Sequence, residues 1–420
     1  MKTRIIIPLS LCIIAALGAS CQKNDDAAVK TADEIVSGSG DARVNINIGS
    51  ITKSTVSGTA DDRLQRVEVF IFDADANSNS YGMLESYTKV NVSNSENTAS
   101  AQLNATAGAK NIYVVANAGS SLASAVNSES SLKAAVSEFS ANAPGGFIMI
   151  GSSANTLASG NNNISVSCRR IVSKISLQTI QGAFESSALQ AATFTVDRIF
   201  LMNVPKQAKY VNGDVSDAFG SGPTALSAGS DGYPSYFVAA SEDNVSLPYY
   251  KYAAPSESAS EANGFYNFTF NSTGGMTLSS DSAVKAMTWT APSSSDGTLY
   301  PGNANNHAYA PGLAFYTYPN PSAHSSSETV ADKTTKLVLE TSLTISGNTR
   351  KYYYSISIPY TQPNYHYTIN NITIKRLGSE DPSLPVTKAA CSFTITVKDW
   401  ESGTIVGQYN NQTSSGGFEF

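Results

Sequence analysis

Charge is what this sequence has least of. Asp, Glu, Lys and Arg make up 14% of the 420 residues, against about 25% in an ordinary soluble domain. With 27 basic and 33 acidic side chains the net charge is -6, so there is no electrostatic footprint for a phosphate backbone and nucleic acid is excluded as a partner. Histidine is equally scarce. His307, His324 and His366 each stand alone among Asn, Ser or Tyr, and none has the spacing of a zinc hydrolase. The cysteines, Cys12, Cys21, Cys168 and Cys391, form neither CxxC nor a Cys/His pattern, which argues against a zinc module and a dense disulfide scaffold. Glycine and proline, 30 and 16, are near their average shares, so collagen and low-complexity disorder are excluded as well. What replaces charge is Ser, Thr, Asn and Tyr, with 21 Tyr and 16 Phe to bury.

The one long apolar run, Ile5 to Leu17, follows Lys2 and Arg4 and ends in Gly18-Ala19-Ser20-Cys21. It falls short of the about 20 helical residues that span a bilayer and has the basic start, apolar middle and small residues of a secretory signal. The stretch Leu17-Gly18-Ala19-Ser20-Cys21 resembles a bacterial lipobox, which implies cleavage before Cys21 and lipidation of its thiol. Two or three acyl chains, at about 0.8 kcal/mol per buried methylene, anchor a protein stably where one does not. Cys168 and Cys391 then remain. An oxidising envelope permits a bridge between them, and two separate buried thiols are the alternative.

After a polar tether reaching about Asp41, short strands follow one another. Val44 to Ile48 alternates apolar and polar residues, and Val67 to Phe72 has a single polar position, as half-buried strands do. Ile112 to Ala116 and Phe147 to Ile150 are continuous apolar runs fit for a sandwich interior. Between them, Leu122, Ala125, Val126, Leu132, Val136 and Phe139 predict a helix over 121–139. A Ser/Gly/Asn stretch at 152–163 sets a domain boundary near 166. Further strands are predicted at 164–168, 171–177 and 194–201. Lys336 to Ile345 and Tyr352 to Ile358, joined across Gly347-Asn348, read as a hairpin. Tyr367 to Ile374 and Ser392 to Val397 add two strands. The pattern is all-β with minor helix, arranged as two β-sandwich domains in tandem.

Motifs for chemistry are missing. There is no GxSxG elbow, Walker A loop or GxGxxG. Ser50-Ile51-Thr52-Lys53 and Ser130-Ser131-Leu132-Lys133 match SxxK, without the SDN and KTG elements that chemistry needs. Asp73-Ala74-Asp75-Ala76-Asn77-Ser78-Asn79 resembles the start of an EF-hand loop, but Ser78 replaces the turn glycine and Leu84 the final glutamate. It reads as a polar hairpin loop. The sequence therefore predicts no enzyme, no cofactor and no metal.

Taken together, the lipobox and the strands resemble the FimA-like fimbrillins, subunits of type V pili in Bacteroidales. The matching pieces are Arg66 to Asp73, Ile112 to Asn117, Phe147 to Ile150, Arg169 to Ile175, Asn364 to Ile369, and Cys391 through Asp399-Trp400 followed by Val406-Gly407-Gln408. The resemblance implies two transthyretin-like β-sandwich domains and a particular assembly. Such subunits reach the outer membrane as lipoproteins, a trypsin-like protease removes the first strand, and a C-terminal strand of the neighbouring subunit fills the groove. This is β-strand addition, with backbone bonds giving adhesion and alternate side chains filling pockets.

Carried onto this chain, the resemblance gives a signal peptide at 1–20 and a propeptide at 21–53. An N-terminal domain at 54–166, a C-terminal domain at 167–400 and a candidate donor at 401–420 follow. The removable strand is Val44 to Ile51, with Val44, Ile46 and Ile48 inward. The expected cut is Lys53-Ser54, with Arg63 and Arg66 as alternatives; family members cut by Arg-specific enzymes carry Arg where this chain has Lys53. Ile405, Val406, Tyr409, Phe418 and Phe420 give the tail its strand character, and the tail favours a stalk subunit; the alternative is that these residues complete the second sandwich. Implied partners are neighbouring subunits, tip and anchor subunits, the protease, and the outer membrane before processing. A competing reading is a monomeric surface lipoprotein that binds glycan or host protein through Tyr233, Tyr236, Tyr249, Tyr250 and Tyr252.

Overall fold

A computed structural model describes residues 40–50, 63–92, 97–142, 146–202, 207–211, 268–270, 276–278, 288–290, 298–301, 308–309, 313–320, 334–358, 361–382, 384–400 and 402–411. Cys21, Lys53, Ser54, His307, His324, the five tyrosines of the competing reading, Phe418 and Phe420 lie outside them.

The first domain is a sandwich. Its strands are β1 (Ala42–Ser50), β2 (Arg66–Asp73), β3 (Leu84–Asn91), β4 (Thr98–Ala105), β5 (Gly108–Ala116), β6 (Val136–Glu138), β7 (Met149–Leu157) and β8 (Gly160–Arg170). Hydrogen bonding follows the order β3-β2-β5-β7-β8-β1-β4. Strands β7 and β8 are laddered only at Met149↔Arg170 and Ile150↔Arg169, and there the path turns from one layer, β3-β2-β5-β7, into the other, β8-β1-β4. Apolar side chains of both layers form one buried cluster that includes Val69, Ile71, Ile112 and Val114 from the first layer and Val44, Ile46, Leu103 and Val166 from the second. Gly151 of β7 marks how close the layers come: a Cβ there would sit 2.6 Å from the Ser167 carbonyl oxygen.

The outer face of the first layer is covered too. Phe70, Phe72, Tyr87 and Tyr113 pack beneath Leu122, Val126, Leu132 and Phe139, so β2 is buried along almost its whole length. That is why its sequence is a nearly continuous apolar run rather than a strict alternation. The covering segment holds a helix α1 (Glu129–Ala134), much shorter than the 121–139 predicted. Ser128 caps it in a reciprocal box with Ser131, and Ala135 is already extended, so helix starts late and stops early. Val136 then enters β6, which pairs with the strand Gln207–Lys209 of the second domain.

The second domain contains β9 (Ser173–Leu177), β10 (Ile180–Gly182), helix α2 (Ser187–Gln190), β11 (Thr193–Met202), β12 (Gln207–Lys209), β13 (Phe268–Phe270), β14 (Met276–Leu278), β15 (Thr288–Thr290) and β16 (Thr298–Pro301). After these come β17 (Ala308–Tyr309), β18 (Leu313–Thr317), β19 (Thr335–Ile345), β20 (Asn348–Ile358), β21 (Tyr365–Ile374), β22 (Cys391–Asp399) and β23 (Ile405–Asn410). One sheet runs β17-β10-β21-β22-β23 with β9 and β18 attached; the other runs β15-β11-β19-β20 with β16 attached. Between them lie Ile175, Phe315, Tyr367, Ile369 and Ile395 from the first sheet and Phe194, Leu337, Tyr354 and Ile356 from the second. The hairpin β19-β20 turns on Ser346 (φ 49) and Gly347 (φ 79), the two positive-φ positions of a type I′ turn. The turn falls one position before the expected Gly347-Asn348, and Asn348 is already the first residue of β20. Strand β8 extends the first sheet to Arg170, past the boundary expected at 166. Its Cys168 lies buried in the first core and Cys391 in the second, both as free thiols. Burial pushes each thiol up to about 12, so neither is a ready nucleophile.

Candidate strand-exchange site

Strand β1 is the middle strand of its layer. It pairs antiparallel with β4 and parallel with β8: Ile46 faces Ala101 on one side and Ile164 on the other. Its alternation is resolved as the sequence predicts, with Val44, Ile46 and Ile48 at most 2% exposed and Arg43, Asn47 pointing to solvent. Asn45 donates across to Asn163 Oδ1 at 3.1 Å. Lifting β1 out would leave the inner edges of β4 and β8 unpaired and uncover Leu103, Ile164 and Val166. An apolar trough flanked by two open edges is a template for another strand.

The two ends of β1 differ. At its start the Asp41 carboxylate accepts from Ala107 N at 3.0 Å and from Ser159 Oγ, and the Asp41 carbonyl accepts from Gly160 N at 2.9 Å. Gly40 sits so close to the Ala105 carbonyl that a Cβ could not be placed there. At its finish Ser50 N donates to Asn97 O at 3.0 Å, and an open cavity of about 700 Å³ lies beside Ile48.

Among the processing candidates, Arg63 is exposed and its carbonyl accepts from Asn117 Nδ2 at 2.8 Å. Arg66 is the first residue of β2; its guanidinium donates to the Ala118 carbonyl and lies 3.4 Å from buried Glu68. A residue laddered into a sheet is poorly placed for a protease, which binds extended chain. Of the donor candidates, Ile405, Val406 and Tyr409 lie in β23, the edge strand of the second domain, paired antiparallel with β22. Tyr409 is buried with its ring 5.9 Å from Phe393, while Ile405 is 54% exposed. These residues complete the second sandwich.

The loop after β2 is not built as a cation site. Burial works against it, yet hydrogen bonds from Ser78, Ser80 and Asp75 N and the charge of Lys110 hold the Asp73 carboxyl well below its ordinary value. Lys110, 3.3 Å from Asp73 and 2.8 Å from Glu85, already balances that charge. In the SxxK stretch on α1, Lys133 pairs with Glu129 at 2.7 Å. His366 accepts or donates at Ser176 Oγ, 2.7 Å from Nε2. Burial and then Lys174 and Lys398 lower it from 6.5 to about 3, so it stays neutral at physiological pH. Among the described residues no three His, Cys, Asp or Glu converge as a metal site would need.

One cluster was not legible from the sequence. Trp400, closing the Asp-Trp motif, stacks on Tyr316 (centroids 5.7 Å, 27°) and receives Arg170 at 4.4 Å and Lys174 at 5.2 Å over its ring. Phe147 lies 4.6 Å from Tyr316, and Arg170 donates to Asn364 Oδ1 at 3.2 Å. Phe147 and Arg170 come from the first domain, the others from the second. Four motifs read separately in the sequence thus meet at the joint between the sandwiches.

The sequence model of the major fimbrial subunit protein (FimA) family matches residues 42–179. That span opens on β1 and closes just after β9, so the family pattern includes the strand under discussion. Over those residues the chain is similar to the FimA family of fimbrial subunits. Solved structures resemble this chain over most of its length. A cell adhesion protein of Bacteroides eggerthii is 20% identical, with 87% of this chain and 98% of that one covered at a TM-score of 0.51. One from Parabacteroides distasonis is 15% identical, covering 85% and 99% at 0.52. The fimbrilin FimA of Porphyromonas gingivalis is 15% identical, covering 86% and 98% at 0.50. At these identities the structures show the fold, all-β with minor helix. Comparison with curated proteins gives no match. The matching model is that of a major fimbrial subunit, and the fold is shared with a fimbrilin and with cell adhesion proteins.

Proposed function

We propose that this chain is a fimbrillin, a stalk subunit of an adhesive fimbria, exported as an outer-membrane lipoprotein through Cys21 and polymerised by strand exchange. A trypsin-like protease cuts between β1 and β2, with Lys53-Ser54 as the favoured bond, and β1 leaves. The segment beginning at Ile405 of the next copy takes its place, and tip and anchor subunits terminate the polymer.

The observation that carries this reading is the position of β1, which is laddered on both sides with its apolar face fully buried. By contrast β23 is laddered only to β22 among the described strands. Moving a strand from a one-sided edge into a two-sided slot gains a ladder of backbone hydrogen bonds, each worth about 0.5 to 1.5 kcal/mol net. Two-sided pairing in the polymer thus offsets the loss of β1. Mass spectrometry of subunits taken from assembled fimbriae should find an N-terminus after Ser50 and before Val67. Subunits that still carry residues 42–50 would overturn the proposal.

A further inference from the structure

Where exchange begins is written in the asymmetry of the slot. The Asp41 end is closed by side-chain and backbone bonds and by the tight approach of Gly40 to Ala105. At the Ile48 end, Val90 and Val92 from the β3 side and Ala99 and Val166 from β4 and β8 supply apolar wall to the open cavity, and among the described residues none that lines it is charged. The flanking strands at 98–105 and 160–168 also lack charge. In the C-terminal region, 404–418 is likewise an uncharged run, and it contains Ile405, Val406, Tyr409 and Phe418. A charged segment lying in this cavity would lose hydration without a counter-charge, whereas an uncharged strand would not. The segment leading away from β1, 51–62, carries Lys53, Asp61 and Asp62 and fits the cavity less well on the same ground.

We propose that the cavity beside Ile48 is the seat at which residues 404–418 of a second copy dock first, with exchange then running toward the Asp41 end. This rests on the strand-exchange reading and adds to it a starting point and a direction. Apolar contact at the open end gives the incoming strand a foothold before the closed end is reached, and the bonds around Asp41 form the last part of the slot to be filled.

The test uses the full chain, processed with trypsin, and a fluorescent peptide of residues 402–420. Thr98→Asp and Ala99→Asp place a carboxylate at the seat, while Asn104→Asp places one at the other end, opposite Arg43. Thr98 and Asn104 are not core residues, and melting of each unprocessed variant checks its fold. The seat variants should slow peptide uptake by about tenfold, equivalent to about 1.4 kcal/mol in the barrier, and Asn104→Asp should leave the rate within about twofold. Equal slowing by all three, or none by the seat variants, would overturn the inference while leaving strand exchange standing. Failure of the unmodified processed chain to take up peptide at all would overturn strand exchange itself.

Discussion

Replacing Ile46 by alanine should destabilise the intact chain by about 2 to 4 kcal/mol and leave the assembled polymer unchanged. Ile46 is 1% exposed at the centre of β1, between Ala101 and Ile164. Truncating it removes buried hydrocarbon and leaves a cavity in a close-packed core. In the strand-exchange account, however, the residue is discarded before assembly. Denaturant unfolding of the intact chain and thermal dissociation of fimbriae, measured on the same variant, separate the two states. A polymer weakened as much as the precursor would mean that β1 stays in place.

The second large effect is expected at the joint. Trp400→Ala should cost about 2 to 4 kcal/mol, somewhat under the range for a fully buried tryptophan because the ring is partly exposed. It should also separate the unfolding of the two sandwiches. Without the indole, Arg170 keeps Asn364 but loses the ring beneath its guanidinium, and Phe147 and Tyr316 lose a shared neighbour. Calorimetry should show one transition for the parent chain and two for the variant. Trp400→Phe, which keeps a ring for stacking, should retain most of the stability.

The difference between these two sites explains what could be read in advance. Strand β1 was legible because its burial has the period of its own backbone: Val44, Ile46 and Ile48 point one way, and a half-buried strand leaves no other pattern. The β19-β20 hairpin was legible for a similar reason, since a local turn sets its register. The parallel partner of β1 was not, because β8 lies more than a hundred residues downstream and nothing in alternation names a partner. Of the six residues whose spacing suggested one long helix, Leu122, Val126, Leu132 and Phe139 are buried while Ala125 and Val136 are exposed. Ser128 overrides it by offering a cap in mid-segment. Trp400 was conspicuous in the sequence, but what makes it matter is Arg170 and Phe147, brought to it from another domain by the crossing at Ile171-Val172. The tail showed strand character without showing whose strand it is, and β23 lies on its own domain as an edge.

That last ambiguity bears on the central claim, that one copy's tail replaces another copy's first strand. It is tested most directly by treating the full-length chain with trypsin and following the products on unboiled gels. The account predicts that, once residues 22–53 are gone, monomer converts into a ladder of polymers, and that a chain lacking residues 401–420 forms none. Monomer that persists after clean removal of β1, or a ladder that forms equally well without the tail, would contradict it.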